Sequence, residues 1–126
     1  MDNDFAFRNI PSLASQDCLV VYIDSDCKTC EELFEVYNKQ ICFPEYFGGN
    51  WDAFLDCLRT MDWISQFHVE IFHQKLPLKV DRELITYLEI LQDAVHGWRK
   101  YREHSLEVVF PDYLRPEISL LLSGAE

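Results

Sequence analysis

Apolar residues along the chain fall into runs of two kinds, short continuous or alternating ones and longer ones with helical spacing. Leu19 to Ile23, LVVYI, is a continuous apolar and β-branched run, the pattern of a strand covered on both faces in a parallel sheet. Asp24, Ser25 and Asp26 form a turn, and Thr29 with Glu32 three residues on makes a capping box that starts a helix to about Lys39. Leu33, Phe34, Val36 and Tyr37 supply its buried side. An aromatic turn, Phe43 to Phe47, leads into Gly48 and Gly49, whose backbone freedom suits a tight entry to the next helix. Asn50 is a favoured N-cap, and Trp51, Phe54, Leu55 and Leu58 place one apolar stripe on a helix to about Met61.

Phe67 to Phe72, FHVEIF, alternates as a second strand, with Phe67, Val69 and Ile71 on one face and His68, Glu70 and Phe72 on the other. KLPLK marks a loop. Asp81 is a candidate cap for a helix to about Tyr101, along which Leu84, Leu88, Leu91, Val95 and Trp98 form a single seam. Leu106 to Phe110, LEVVF, reads as a third strand that Pro111 stops. Residues 1–17 read as an N-terminal extension in which Phe5, Phe7 and Ile10 could pack on the domain. The ISLLL segment of the tail fits either a last strand or a docking helix.

Strands separated by crossovers this long must be parallel neighbours joined by right-handed connections. The expected fold class is α/β, a small two-layer or three-layer domain with a mainly three-stranded parallel sheet packed by helices. A length of 126 residues fits one domain, with its core between residues 19 and 110 and a tail over 111–126.

Hydrophobic residues make up 48% and aromatics 14% of the chain, enough for a packed core. The net charge of −11 argues against nucleic acid and anionic membranes as partners, which would repel such a surface, and favours a basic protein. No apolar run approaches a membrane span, and the start MDNDFAFRN lacks the apolar stretch of a secretory signal, so a cytoplasmic monomer is expected. Five cysteines without an export signal point to free thiols.

Asp52 and Asp56 are four apart and therefore stand one above the other on the side of their helix opposite the apolar stripe. Like charges at that spacing cost an isolated helix a few tenths of a kcal/mol, so either they are simply solvated or a cationic partner uses them. Between Phe43 and Trp63 the acids Glu45, Asp52, Asp56 and Asp62 face Arg59 as the one base.

The segment from Leu19 to Asp62 resembles the barstar family, the intracellular inhibitors of secreted bacterial ribonucleases. The residues that carry the likeness are Pro44-Glu45-Tyr46-Phe47-Gly48-Gly49-Asn50, then Asp52-Ala53 and Asp56-Cys57-Leu58, preceded by the VVYID strand and a helix start of KT-x-EEL type. The resemblance implies a three-stranded parallel sheet whose second helix and preceding loop plug the active site of a basic extracellular ribonuclease or toxin nuclease, as an immunity protein does. It places Tyr46, Asp52 and Asp56 in contact with the enzyme, with Asp56 as the central anchor. A family tryptophan before that anchor is Leu55 here, another after the helix corresponds to Trp63, and an acid on the last helix corresponds to Asp93. The candidate partner-binding set is Tyr46, Gly48, Asn50, Asp52, Asp56, Arg59, Trp63 and Asp93.

Other chemistries are weaker. Cys27-x-x-Cys30 follows a strand as in thioredoxin-type sites, yet the Thr29 cap leaves Cys27 in the turn and Cys30 inside the helix, which denies either thiol the activating N-cap position. One such pair, with His68, His73, His96 and His104 scattered elsewhere, predicts no metal site, and no cofactor is expected. Asp52 and Asp56 could act as general acid and base, but no nucleophile or substrate cleft accompanies them, so no catalytic residues are assigned.

Overall fold

The computed structural model describes residues 5–23, 27–41, 50–60, 68–98 and 105–123. Its elements, in chain order, are β1 (Ala6–Phe7), β2 (Cys18–Ile23), α1 (Cys30–Ile41), α2 (Trp51–Thr60), β3 (His68–His73), α3 (Asp81–Trp98), β4 (Ser105–Phe110), a 3-10 turn (Asp112–Leu114) and α4 (Arg115–Leu122). The strands form one all-parallel sheet in the order β1-β4-β3-β2. Val21, Ile71 and Val108 stand side by side in register and, with Ile23, Val69, Leu106 and Phe110, build the sheet's half of the main core. The helices supply the other half: Leu33, Phe34 and Tyr37 from α1, Phe54 and Leu58 from α2, and the full seam Leu84, Leu88, Leu91, Val95 and Trp98 from α3.

Local capping follows the sequence. Thr29 Oγ1 accepts the Glu32 N–H at 3.1 Å while Glu32 Oε1 accepts the N–H groups of Lys28 and Thr29, which closes the capping box at α1. At α3 the cap is displaced: the Leu84 N–H bonds the Val80 carbonyl at 3.0 Å, so Asp81 is the first helical residue rather than the cap. An acid there still meets the positive end of the helix dipole.

Among the described residues the sheet has four strands rather than three. The segment taken as an extension contributes β1, which pairs Ala6 with Val109 and Phe7 with Phe110 at the free edge of β4. Phe5 and Phe7 lie against the Phe110 ring at 5.2 and 6.4 Å, and the Arg115 guanidinium sits 4.3 Å over Phe7. Two residues are too few for an alternating pattern to be seen, and the strand exists because β4 offers it an edge. The tail resolves as a helix, α4, with Pro116 in its first turn and Ile118 buried in the main core.

β2 is likewise an edge strand, and the expectation that both its faces are covered holds only in part: Tyr22 is 45% exposed. Its open edge is closed locally. The Gln40 side chain accepts the Tyr22 N–H and donates to the Tyr22 carbonyl, both at 2.8 Å, while Ser15 exchanges backbone hydrogen bonds with Cys18. Such blocking denies the edge to a foreign strand.

Candidate functional site

α2 starts where the sequence places it. Asn50 Oδ1 accepts the Ala53 N–H at 2.9 Å and the Asn50 carbonyl accepts the Phe54 N–H, so this side chain is committed to the helix start. Phe54, Cys57 and Leu58 are fully buried beneath the helix, and Trp51 and Leu55 pack half-buried at its flanks. Trp51 stands edge-on to Phe34 at 5.2 Å, and Phe54 edge-on to Tyr37 at 4.8 Å. At the other end the Trp98 indole N–H donates to the Leu58 carbonyl at 2.7 Å, tying the last turn of α2 to α3. The helix is therefore clamped on one side, and its outer side carries Asp52, Asp56 and Arg59, all exposed.

The ion pairs among the described residues are Arg8–Glu70, Arg8–Glu107 and, if the imidazole is charged, His68–Glu107; neither Asp52 nor Asp56 takes part in one. Asp93 is exposed on α3, the helix against which α2 packs. Tyr46, Gly48 and Trp63 lie outside the described residues, as does the aromatic turn that precedes Asn50.

Beneath α2 runs a buried polar chain that the sequence did not announce. The Val109 carbonyl can only accept, so His73 Nδ1 carries the proton and donates to it at 3.0 Å. His73 Nε2 then accepts from the Tyr87 hydroxyl at 2.7 Å, which in turn accepts from the Tyr37 hydroxyl at 2.6 Å. The chain joins β4, β3, α3 and α1, and no buried side-chain polar atom among the described residues is left without a partner. Burial pushes the His73 imidazole down to about 3, partly countered by the Val109 bond, and raises both tyrosine hydroxyls. His73 thus stays neutral when folded but takes up a proton near pH 6.5 when unfolded. Its contribution to stability is complete above that value and is lost progressively as pH falls toward 3. Urea unfolding should therefore show a loss of about 1.5 kcal/mol between pH 6.5 and 5 from this residue. A His73→Gln chain, which cannot charge, should have a correspondingly flatter profile; equal slopes for the two chains would remove His73 from the account.

The cysteine pair does not form an activated site. Cys27 is buried, and burial followed by a hydrogen bond to Glu83 pushes the Cys30 thiol up to about 11, the opposite of the shift a redox nucleophile needs. No helix among the described residues is long and apolar enough to cross a membrane.

No curated protein matches the chain at a significant level. A family model described as Barstar (barnase inhibitor) matches residues 18–111, a span that begins with β2, contains α1, α2, β3, α3 and β4, and ends at Pro111. That span is three-quarters of the sequence, and the helix with the outward acid pair falls in its middle. By this match, and by the parallel sheet with its clamped second helix, the chain belongs to the barstar family.

Proposed function

We propose that the chain inhibits a secreted, basic ribonuclease by setting the outer side of α2, with the loop before it, into the enzyme's active-site cleft. The supporting observation is the pair Asp52 and Asp56, exposed on a helix whose other side is fixed in the core and outside every ion pair among the described residues. A site that cleaves RNA must hold phosphate, so it gathers Arg, Lys and His in a cleft. Carboxylates on a rigid support can take the phosphate positions with charge-assisted hydrogen bonds. The residues assigned to contact the enzyme are Tyr46, Gly48, Asp52, Asp56, Arg59, Trp63 and Asp93, with Asn50 holding the helix start. An inhibitor of this kind does no chemistry of its own, needs no cofactor, and acts as a monomer in the cytoplasm.

The experiment is to mix the purified chain with cationic secreted ribonucleases from the same source and follow RNA cleavage. Stoichiometric loss of cleavage supports the proposal. A complex that leaves cleavage intact would instead favour an adaptor that has kept the fold and binds another surface of a basic protein, and no complex with any of them would sink inhibition. Within an inhibitory complex, Asp52→Ala should weaken binding less than the change at Asp56 and should flatten the dependence of the association rate on salt, because a peripheral charge acts mainly through long-range attraction. A salt dependence identical to that of the native chain would take Asp52 out of the interface.

A further inference from the structure

The face of the sheet turned away from the helices carries a second group of chemistry-bearing side chains. His68 and Glu70 point to that face from β3, and Glu107 stands beside Glu70 in register on β4. One donor atom from each lies within 4.8 Å of the other two. His68 Nδ1 is hydrogen-bonded to Ser105 Oγ, which fixes the ring and leaves Nε2 facing Glu107 Oε1 at 4.0 Å. Two ligands of one tetrahedral zinc ion stand about 3.3 Å apart, given bonds of about 2.0–2.1 Å, so small side-chain movements separate this group from a metal cage. Metal-binding histidines are oriented by a hydrogen bond on the second imidazole nitrogen, and Ser105 Oγ supplies one here. Cys18, opposite His68 on β2, adds a thiol beside the group.

The two carboxylates are at present held by the N-terminal segment. Glu70 is fully buried and its charge requires a cation. Arg8 Nη2 donates to Glu70 Oε1 and, at 2.8 Å, to Glu107 Oε1, while the Ser12 N–H donates to Glu70 Oε2 at 2.8 Å. The Arg8 hydrogen bond holds the Glu107 carboxyl below its usual range. Arg8 is nevertheless 36% exposed, so it can exchange this place for water without crossing the core. Both Arg8 and Ser12 lie outside the matched span of residues 18–111.

We propose that His68, Glu70 and Glu107 form a zinc-binding site for which Arg8 is the built-in competitor. The ion takes the imidazole Nε2 and one oxygen of each carboxylate, and the Arg8 guanidinium leaves as the divalent charge enters, while the Ser12 N–H can keep the other Glu70 oxygen. An imidazole between two carboxylates favours zinc over magnesium or calcium, which prefer oxygen alone.

The test titrates the full chain with zinc against a chromophoric chelator. Arg8→Gln should bind zinc at least tenfold more tightly than the native chain, because the competitor is gone, and adding His68→Ala to it should undo that gain. Circular dichroism recorded alongside reports folding, and an Arg8→Gln chain that needs zinc to fold is the same result in a stronger form. Arg8→Gln binding no tighter than the native chain overturns the proposal. So does His68→Ala, made in the otherwise native chain where Arg8 still neutralises the carboxylates, if it leaves zinc affinity unchanged, since the ion would then sit elsewhere.

Discussion

Asp56→Ala should weaken the complex with an inhibited ribonuclease by at least about 2 kcal/mol, roughly thirtyfold in Kd, without loss of folding stability. In the free protein the Asp56 side chain is exposed in the middle of α2, so its removal opens no cavity, and it joins no ion pair among the described residues, so none of them is orphaned. Relief of the repulsion from Asp52, one turn away, should even leave the free chain unchanged or a few tenths of a kcal/mol more stable. In the complex the same carboxylate would be desolvated between cationic side chains of the cleft. Truncation there removes its hydrogen bonds and leaves buried positive charge uncompensated, which is why central charges cost most at an interface. This expectation follows the family's own enzyme–inhibitor pair. The signature is the opposite sign of the two effects, read by inhibition titration and by urea unfolding of the same preparation. Unaltered inhibition would remove Asp56 from the interface, and a large stability loss would mean that it serves the fold instead.

Trp98→Ala should destabilise the chain by about 3–5 kcal/mol, the range for deleting a large buried aromatic. Trp98 ends the α3 seam and is almost wholly buried, and its indole N–H reaches the Leu58 carbonyl in the last turn of α2. That carbonyl lies in the last described turn of α2, so Trp98 both fills the gap between the two helices and ties that turn to α3. Trp98→Phe separates these roles. It keeps most of the ring volume but removes the hydrogen bond to the Leu58 carbonyl, and should cost about 1 kcal/mol. Since α2 carries the acid pair, the Phe variant should also bind the ribonuclease more weakly than its stability alone requires. Far-UV circular dichroism in urea is the suitable readout, because the substitution removes a fluorophore. A cost below about 1 kcal/mol for the alanine variant would show that α2 is held by other contacts.

Both predictions concern residues whose placement was legible in the sequence, and the reason is local. The period of the α3 seam, the Thr29–Glu32 capping box, the Asn50 cap and the outward spacing of Asp52 and Asp56 depend on neighbours within four residues along the chain. The misreadings are of two kinds. At α3, Val80 rather than Asp81 provides the cap, a shift of one residue at an end where side-chain preference is easily overridden. For β1 and β2 the error lay in the surroundings: a two-residue strand and an edge position are set by what lies alongside, and neither leaves a period to read.

By itself, then, the amino-acid order determined the α/β class, the parallel strands with their helical crossovers, and which side of the second helix turns outward, since each follows from the spacing of apolar and capping residues. Only the tertiary structure decided that Phe7 extends the sheet, that Gln40 closes the β2 edge, that His73, Tyr87 and Tyr37 share one proton-ordered chain, and that Arg8 lies across Glu70 and Glu107. These contacts join residues from 14 to 103 positions apart. Their partners are chosen by sheet order and helix packing, and no periodicity within a single element records that choice.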